Sequence, residues 1–316
     1  MPKPKPFSSL FRKKPQTLSF QDYYTKWFKT LKKTHLPLIQ LSLSSSSSPT
    51  LLHSRIDILL HHFLAYYDTL DLAASQENLP QLLFPSWRNS LEIPFLLLGD
   101  LHPYLFTNLL RSFLDQETEE GEENDSCDGV VAGLDRPWQV MMAWKNVSKH
   151  LMNHIDQIEC GLRLMVPALM SRIKKVQGGF VGRIAEDWGA DCEGKRERIE
   201  EAMKEAMEEM VSVFMDANRL RKSVITEIVS GLSLYQAALF LEGLAQFLVG
   251  LREEEVKSSH YSGLICKLLI ISCYGLGYNF DESGVIGIKA FNSVVLGNWL
   301  IGSDNTVANN VDSHMY

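Results

Sequence analysis

Apolar residues recur every three to four positions along most of this chain, the spacing of one face of an α-helix. Phe20, Tyr23/Tyr24, Trp27/Phe28, Leu31 and His35 mark a first helix over residues 19–41, in which Pro37 predicts a kink or an early stop. The serine run 44–48, closed by Pro49, reads as a flexible connector. A second helix carries Leu52, Ile56, Leu59/Leu60, Phe63, Tyr66/Tyr67, Leu70 and Ala73/Ala74. Pro80 and Pro85 delimit a short third element with Leu82, Leu83 and Phe84, followed by Trp87 and Leu91.

Residues 94–104 break the periodicity. The run Phe95-Leu96-Leu97-Leu98 demands burial, whereas Gly99-Asp100 and His102-Pro103 interrupt a helix, and Pro103 suits the first turn of the next one. That next helix carries Leu105/Phe106, Leu109/Leu110 and Phe113/Leu114. Seven acids between 117 and 128, with glycine and asparagine, predict a disordered acidic loop, bounded here as 117–135.

Two long helices are predicted beyond the loop. Trp144, Val147, Leu151, Ile155, Ile158, Leu162, Met165, Leu169, Ile173 and Val176 form one sustained seam, kinked at Pro167 and ended by Gly178-Gly179. Ile199, Met203, Ala206, Met210, Val213, Ala217, Leu220, Val224 and Ile228 form the second. After Gly231, Ser233-Leu234-Tyr235-Gln236 has the form of a capping box and opens a last helix to about Arg252. No strand-like alternation of any length precedes residue 258, so the fold class is all-α: a multi-helix bundle with two long C-terminal helical segments. Glycine, β-branched and aromatic residues replace the helical pattern from Lys257 onward. The organisation read from the chain is therefore a basic flexible tail (1–16), a helical domain (17–256) and an irregular, disordered extension (257–316).

Composition adds one asymmetry. Residues 1–36 hold nine basic groups against the single acid Asp22, a charge of +8, which leaves −15 on the remainder of a chain whose formal charge is −7. A basic end of this kind suits an anionic lipid surface, nucleic acid or an acidic partner. Arg12, Lys13 and Lys14 are its densest run and the candidate membrane contact. The five cysteines are scattered without a C-x-x-C pair, which predicts reduced thiols. No secretory signal and no long uninterrupted apolar run are read in the chain.

The residues spell out no catalytic site. A G-x-S-x-G elbow, a Walker loop and H-E-x-x-H are all missing. Glycine-rich 178–182 follows a helix rather than a strand and reads as a helix stop. His150 and His154 have the i, i+4 spacing of a metal or haem pair, but no cysteine or acid joins them at a diagnostic distance. His61-His62 read as packing at a helix edge. No catalytic residue, metal or cofactor is assigned.

The pattern Phe20-x-x-x-Tyr24-x-x-Trp27, then His62-Phe63-Leu64-Ala65-Tyr66-Tyr67-Asp68, Trp87 and Phe95-Leu96-Leu97-Leu98-Gly99, resembles the plant seed-dormancy-control domain. That domain occurs in delay-of-germination proteins and in the C-terminal half of TGA-type bZIP factors. Asp216-Ala217-Asn218-Arg219-Leu220-Arg221 and Tyr235-Gln236-Ala237-Ala238-Leu239-Phe240-Leu241 are similar to its closing helices, and the resemblance spans about 17–255. The family commonly has tryptophan at the position of Leu97, Gly-Gly in place of Gly99-Asp100, and Arg-Pro-Ser in place of His102-Pro103-Tyr104. The TGA basic region and zipper have no counterpart here, so direct DNA binding is not carried over, nor is the haem site of dormancy proteins. The segment 98–111 resembles the inaperturate-pollen branch of the family.

That resemblance implies a non-enzymatic adaptor that helps to specify pollen apertures by marking plasma-membrane domains from the cytoplasmic side. The alternative it leaves open is a nuclear regulator of transcription or dormancy that binds bZIP factors or phosphatases. Other proteins are the expected partners, and homo-oligomerisation is left open. Gly99, Asp100, His102, Pro103 and Tyr104, where the chain departs from the family pattern, are the candidate interaction residues. If they form a contact surface, replacing Asp100 or His102 by alanine removes binding and spares helix content; if they form a tight turn, it destabilises the fold.

Overall fold

Ser19 accepts a hydrogen bond from the Asp22 N–H and Ser48 one from the Leu51 N–H, so serine side chains start the first two long helical segments. The computed structural model describes residues 19–44, 48–90, 92–119, 136–145, 147–188 and 195–252. In chain order these form α1 (Phe20–Thr30), a π-helical turn (Leu31–His35), α2 (Leu36–Ser44), α3 (Pro49–Ala73) and α4 (Leu79–Leu83). A 3-10 turn (Ile93–Phe95) leads into β1 (Leu96–Leu97) and β2 (Asp100–Leu101). Helices α5 (Tyr104–Glu119), α6 (Trp138–Met141), α7 (Lys149–Trp188), α8 (Lys195–Gly231) and α9 (Leu234–Arg252) complete the described chain. The fold is mostly helical. The basic tail 1–16, the acidic stretch beyond Glu119 and the segment 257–316 lie outside the described residues.

Two local expectations are corrected. Pro37 neither kinks the chain out of helix nor stops it, since α2 runs on to Ser44. A proline clashes with the carbonyl four residues back and lacks an N–H; the π-turn just ahead of it, closed by Leu36 N–H on the Leu31 carbonyl, adds a residue to that turn and accommodates both defects. Gly178-Gly179 does not end α7, which continues to Trp188. Two glycines cost roughly 1 kcal/mol each against alanine, a local preference that packing on a neighbouring helix overrides. The all-α reading stands beside one short addition, a two-residue antiparallel ladder with Leu96 opposite Leu101 and Leu97 opposite Asp100.

Helices α7 and α8 form a long antiparallel pair. Pairings that fall along one helix as they rise along the other fix the direction: His154 Nε2 with the Glu227 carbonyl, Arg172 with Asp216 and Glu209, and Arg183 with Glu205. Pro167 sits on the exposed side of α7. Most of the expected seam lies between the two helices, with Leu151, Ile155, Leu162, Leu169 and Ile173 buried from α7 and Met210, Val213, Ala217, Val224 and Ile228 from α8. Met165 and Met203, expected in it, are exposed at 48% and 36%, Val166 being buried in place of Met165, and Trp144 and Val147 precede α7.

Helix α9 occupies the centre. Gln236 Oε1 accepts the Ser233 N–H, the back-reaching half of the capping box that starts it. Ala237, Ala238, Phe240, Leu241, Leu244, Ala245, Phe247 and Leu248 bury every side of it, and α2, α3, α5 and α6 pack around it. By length and composition it would cross a membrane, yet 67% of that apolar window is buried inside the fold. A helix apolar all round belongs either in lipid or in a core, and the surrounding helices make this one a core helix. Its single buried acid, Glu242, is paired with Arg136 at 2.9 Å.

Candidate functional site at residues 99–104

The turn between β1 and β2 holds Leu98 at φ 51° and Gly99 at φ 77°. Positive φ at both central residues is the requirement of a two-residue type I′ hairpin, and glycine meets it without a steric penalty. Gly99 is also pressed against α4: a Cβ there would lie 1.9 Å from the Leu82 carbonyl oxygen. The turn thus places Asp100 with its carboxylate pointing into the protein.

Asp100 is 2% exposed. Its Oδ1 accepts from the Leu101 N–H at 2.8 Å and from Tyr67 Oη at 3.3 Å. Its Oδ2 accepts from Arg88 Nη2 at 2.8 Å and from Tyr66 Oη. Arg88 reaches on to Glu92 Oε1 at 2.9 Å, and the same oxygen accepts from Tyr24 Oη. Glu92 and Asn89 bond each other's backbone N–H, while Asn89 Nδ2 and Arg252 Nη1 tie this loop to the end of α9 through the Leu251 and Trp87 carbonyls.

The other wall is α8. Arg221, fully buried, donates to the Leu97, Asp100 and Leu101 carbonyls and to Asn218 Oδ1. Asn218 passes the network to Asp71, which with Asp68 also receives Lys222. Arg88 thereby pairs with two carboxylates, Asp100 and Glu92, while the Arg221 guanidinium is satisfied by carbonyls and Asn218. Buried charges persist only when paired and hydrogen-bonded in this way. Burial opposes ionisation of Asp100, but Arg88 and Arg221 outweigh it and hold the carboxyl below the usual carboxylate range. Burial also pushes the Tyr24 phenol up to about 12, so the tyrosines of the cluster act as neutral donors.

His102 caps α5. Its carbonyl accepts the Leu105 N–H and its Nδ1 the Tyr104 N–H at 3.2 Å, with Pro103 as the turn residue that leads into the helix. Burial, and then the charge of Arg221, lower its pKa to about 3, so the ring is neutral with its proton on Nε2. Arg111, two turns into α5, binds Glu159 and Asp156 of α7.

These positions change the reading of the candidate residues. Asp100, His102 and Pro103 are buried, so their side chains are not a surface that a partner touches; among the five, Gly99 and Tyr104 retain partial exposure. The network organises the fold because a β-turn aims a charge inward. Arg12, Lys13 and Lys14 lie outside the described residues. His150 is exposed, and His154 is committed to the Glu227 carbonyl and packed against Gly231, where a Cβ would fall 2.4 Å from the ring. His62 stacks on Trp27 and donates to its carbonyl, while Trp27 Nε1 donates to the His62 carbonyl, a reciprocal clasp between α1 and α3. Among the described residues no group of three His, Cys, Asp or Glu is arranged to hold a metal ion.

Arg88, Asn218 and Arg221 were not singled out as site residues from the sequence. A signal existed: Phe214, Asn218, Arg221, Ile225 and Ile228 share one stripe of α8, placing two polar residues at core positions. A cavity beside the network, lined by Trp27, Tyr66, Tyr67, Arg88 and Asp100, encloses about 10 Å³, the space of one water molecule. The site can hold charges and position helices; it has no room for a small-molecule substrate.

The family model for seed dormancy control matches residues 35–112, which run from the last residue of the π-turn through the hairpin into α5. Protein INAPERTURATE POLLEN1 of Arabidopsis thaliana is 51% identical over 261 residues, covering 79% of this chain and 95% of that protein. Protein INAPERTURATE POLLEN 1 homolog of Oryza sativa subsp. japonica is 31% identical over 242 residues, 75% of this chain and 85% of that protein. With a helical core built around a seed-dormancy-control segment, and similarity that extends over nearly the whole of both relatives, the chain belongs to the inaperturate pollen protein family.

Proposed function

We propose that the protein is a non-enzymatic adaptor in pollen-aperture formation, marking the plasma-membrane domains where exine is not deposited. One observation carries this reading: 51% identity across 95% of a relative named for pollen without apertures. The architecture is consistent with it. The buried charges are spent on holding a hairpin against α8, and the cavity beside them is of water size. Such a scaffold acts through its outer surface, on other proteins and on the membrane. At the 99–104 corner, the half-buried Tyr104 is the side chain a partner reaches; the contact with the cytoplasmic leaflet is assigned, on charge alone, to the basic run Arg12, Lys13 and Lys14.

The test is a fluorescent fusion of the full chain expressed from its own promoter in developing pollen. Discrete peripheral patches at the tetrad stage, coinciding with later apertures, are the expected result. A uniform nuclear signal would refute the proposal and favour a regulator of transcription or dormancy. In the same lines, expression in a plant whose pollen lacks apertures is expected to restore them.

A further inference from the structure

Helix α1, the π-turn and α2 bury one face through Tyr24, Trp27, Leu31, Ile39 and Leu43. On the opposite side the exposed residues Lys26, Lys29, Lys33, Pro37 and Leu41 follow at intervals of three or four, which sets them in one line along the helix. The line is roughly 20 Å long at the rise of a helix. Among the described residues Lys26, Lys29 and Lys33 form no ion pair. The one acid between residues 20 and 44 is Asp22, which is engaged by Ser19 Oγ at 2.8 Å. Beyond the lysines the line turns apolar, ending on Leu41 at 63% exposure.

We propose that this outer face of α1 and α2 is a docking surface for an anionic lipid leaflet, with the three lysines on headgroup phosphates and Leu41 at the headgroup–acyl boundary. The proposal rests on the peripheral membrane placement argued above and names the lipid itself as the partner. Charge complementarity carries it: three unneutralised cations in a row face outward, on a protein whose charge is negative overall. The chemistry favours a bilayer over an acidic peptide. Lysine is a flexible point charge suited to a plane of phosphates, whereas planar recognition of single carboxylates or phosphates draws on arginine forks, and residues 20–44 contain no arginine. A straight basic run continuing into exposed apolar positions is also the form of an interfacial surface helix.

Sedimentation of the purified full chain with sucrose-loaded vesicles tests this. Vesicles of phosphatidylcholine with about one third phosphatidylserine are expected to bind it, and pure phosphatidylcholine is not. The triple variant Lys26→Gln, Lys29→Gln, Lys33→Gln, at three exposed positions, is expected to partition about 100-fold less strongly at low salt. Leu41→Ser is expected to weaken binding further with unchanged salt dependence. Wild-type chain that ignores anionic vesicles overturns the inference and leaves the aperture role intact. So does a triple variant that binds like wild type while neutralising Arg12, Lys13 and Lys14 abolishes binding. Saturable binding of a peptide spanning residues 117–128 to wild type but not to the triple variant, without vesicle binding, also overturns it and assigns the stripe to an acidic protein segment.

Discussion

The neutral, buried His102 makes a measurable contribution to acid sensitivity. Its pKa is lowered to about 3 by burial and then by Arg221, against about 6.5 in the unfolded chain. As pH falls below 6.5 the unfolded state takes up a proton that the folded state refuses, so stability is lost from 6.5 downward and the loss levels off near 3. Between about pH 7 and about pH 5 the linkage relation gives a loss of about 2 kcal/mol from this one residue, and any folded value below about 4 gives the same result. Other groups titrate too, including His62, lowered to about 4 by burial and by His35. The informative quantity is therefore the difference between wild type and His102→Asn. Asparagine keeps an acceptor for the Tyr104 N–H and is a good helix cap, but it does not titrate. Urea unfolding followed by far-ultraviolet circular dichroism at both pH values is expected to show the variant losing about 2 kcal/mol less than wild type on acidification. Equal losses in the two proteins would mean that the folded state accepts a proton at His102, and the account of a sealed, neutral cap would be wrong.

Two further expectations concern the charge network. Asp100→Ala leaves the buried Arg88 with Glu92 as its one remaining carboxylate partner among the described residues, and is expected to cost about 3–5 kcal/mol in denaturant unfolding; unchanged stability together with a specific loss of partner binding would return the corner to the status of a contact surface. Arg221→Met, which strands three hairpin carbonyls, is expected to destabilise by about 3 kcal/mol or more, whereas Arg219→Met, two residues away and largely exposed, is expected to stay within about 0.5 kcal/mol. Similar effects of the two arginine changes in thermal melts would show that the hairpin does not depend on α8.

Helical periodicity makes most of this fold legible in the sequence. Burial of one helix face is a repeating, local constraint, so Tyr24, Trp27 and Leu31, or Leu151, Ile155 and Leu162, announce both the element and the side it hides. The same holds for Ser233-Leu234-Tyr235-Gln236, where side chain and backbone three residues apart satisfy each other. Local rules misled where tertiary contact outweighed them. Gly178-Gly179 carries a stop signal, but α7 lies along α8; Pro37 carries another, but a π-turn absorbs it.

The candidate corner divides along the same line. Its departure from regular helix was written in Gly99-Asp100 and His102-Pro103, and a turn there followed from those residue types alone. Which way Asp100 points was decided by the tertiary structure. The carboxylate finds Arg88 twelve residues away and Tyr66 and Tyr67 more than thirty away, and Arg221 meets the hairpin carbonyls across 120 residues. Pairing of that kind has no period and leaves no spacing to read, because desolvated charges are stabilised by whichever partner the packed helices bring within hydrogen-bond reach. The sequence alone thus determined a helical protein interrupted at residues 99–104; only the folded chain turned that interruption inward, making it a fastening for α8 rather than an exposed surface.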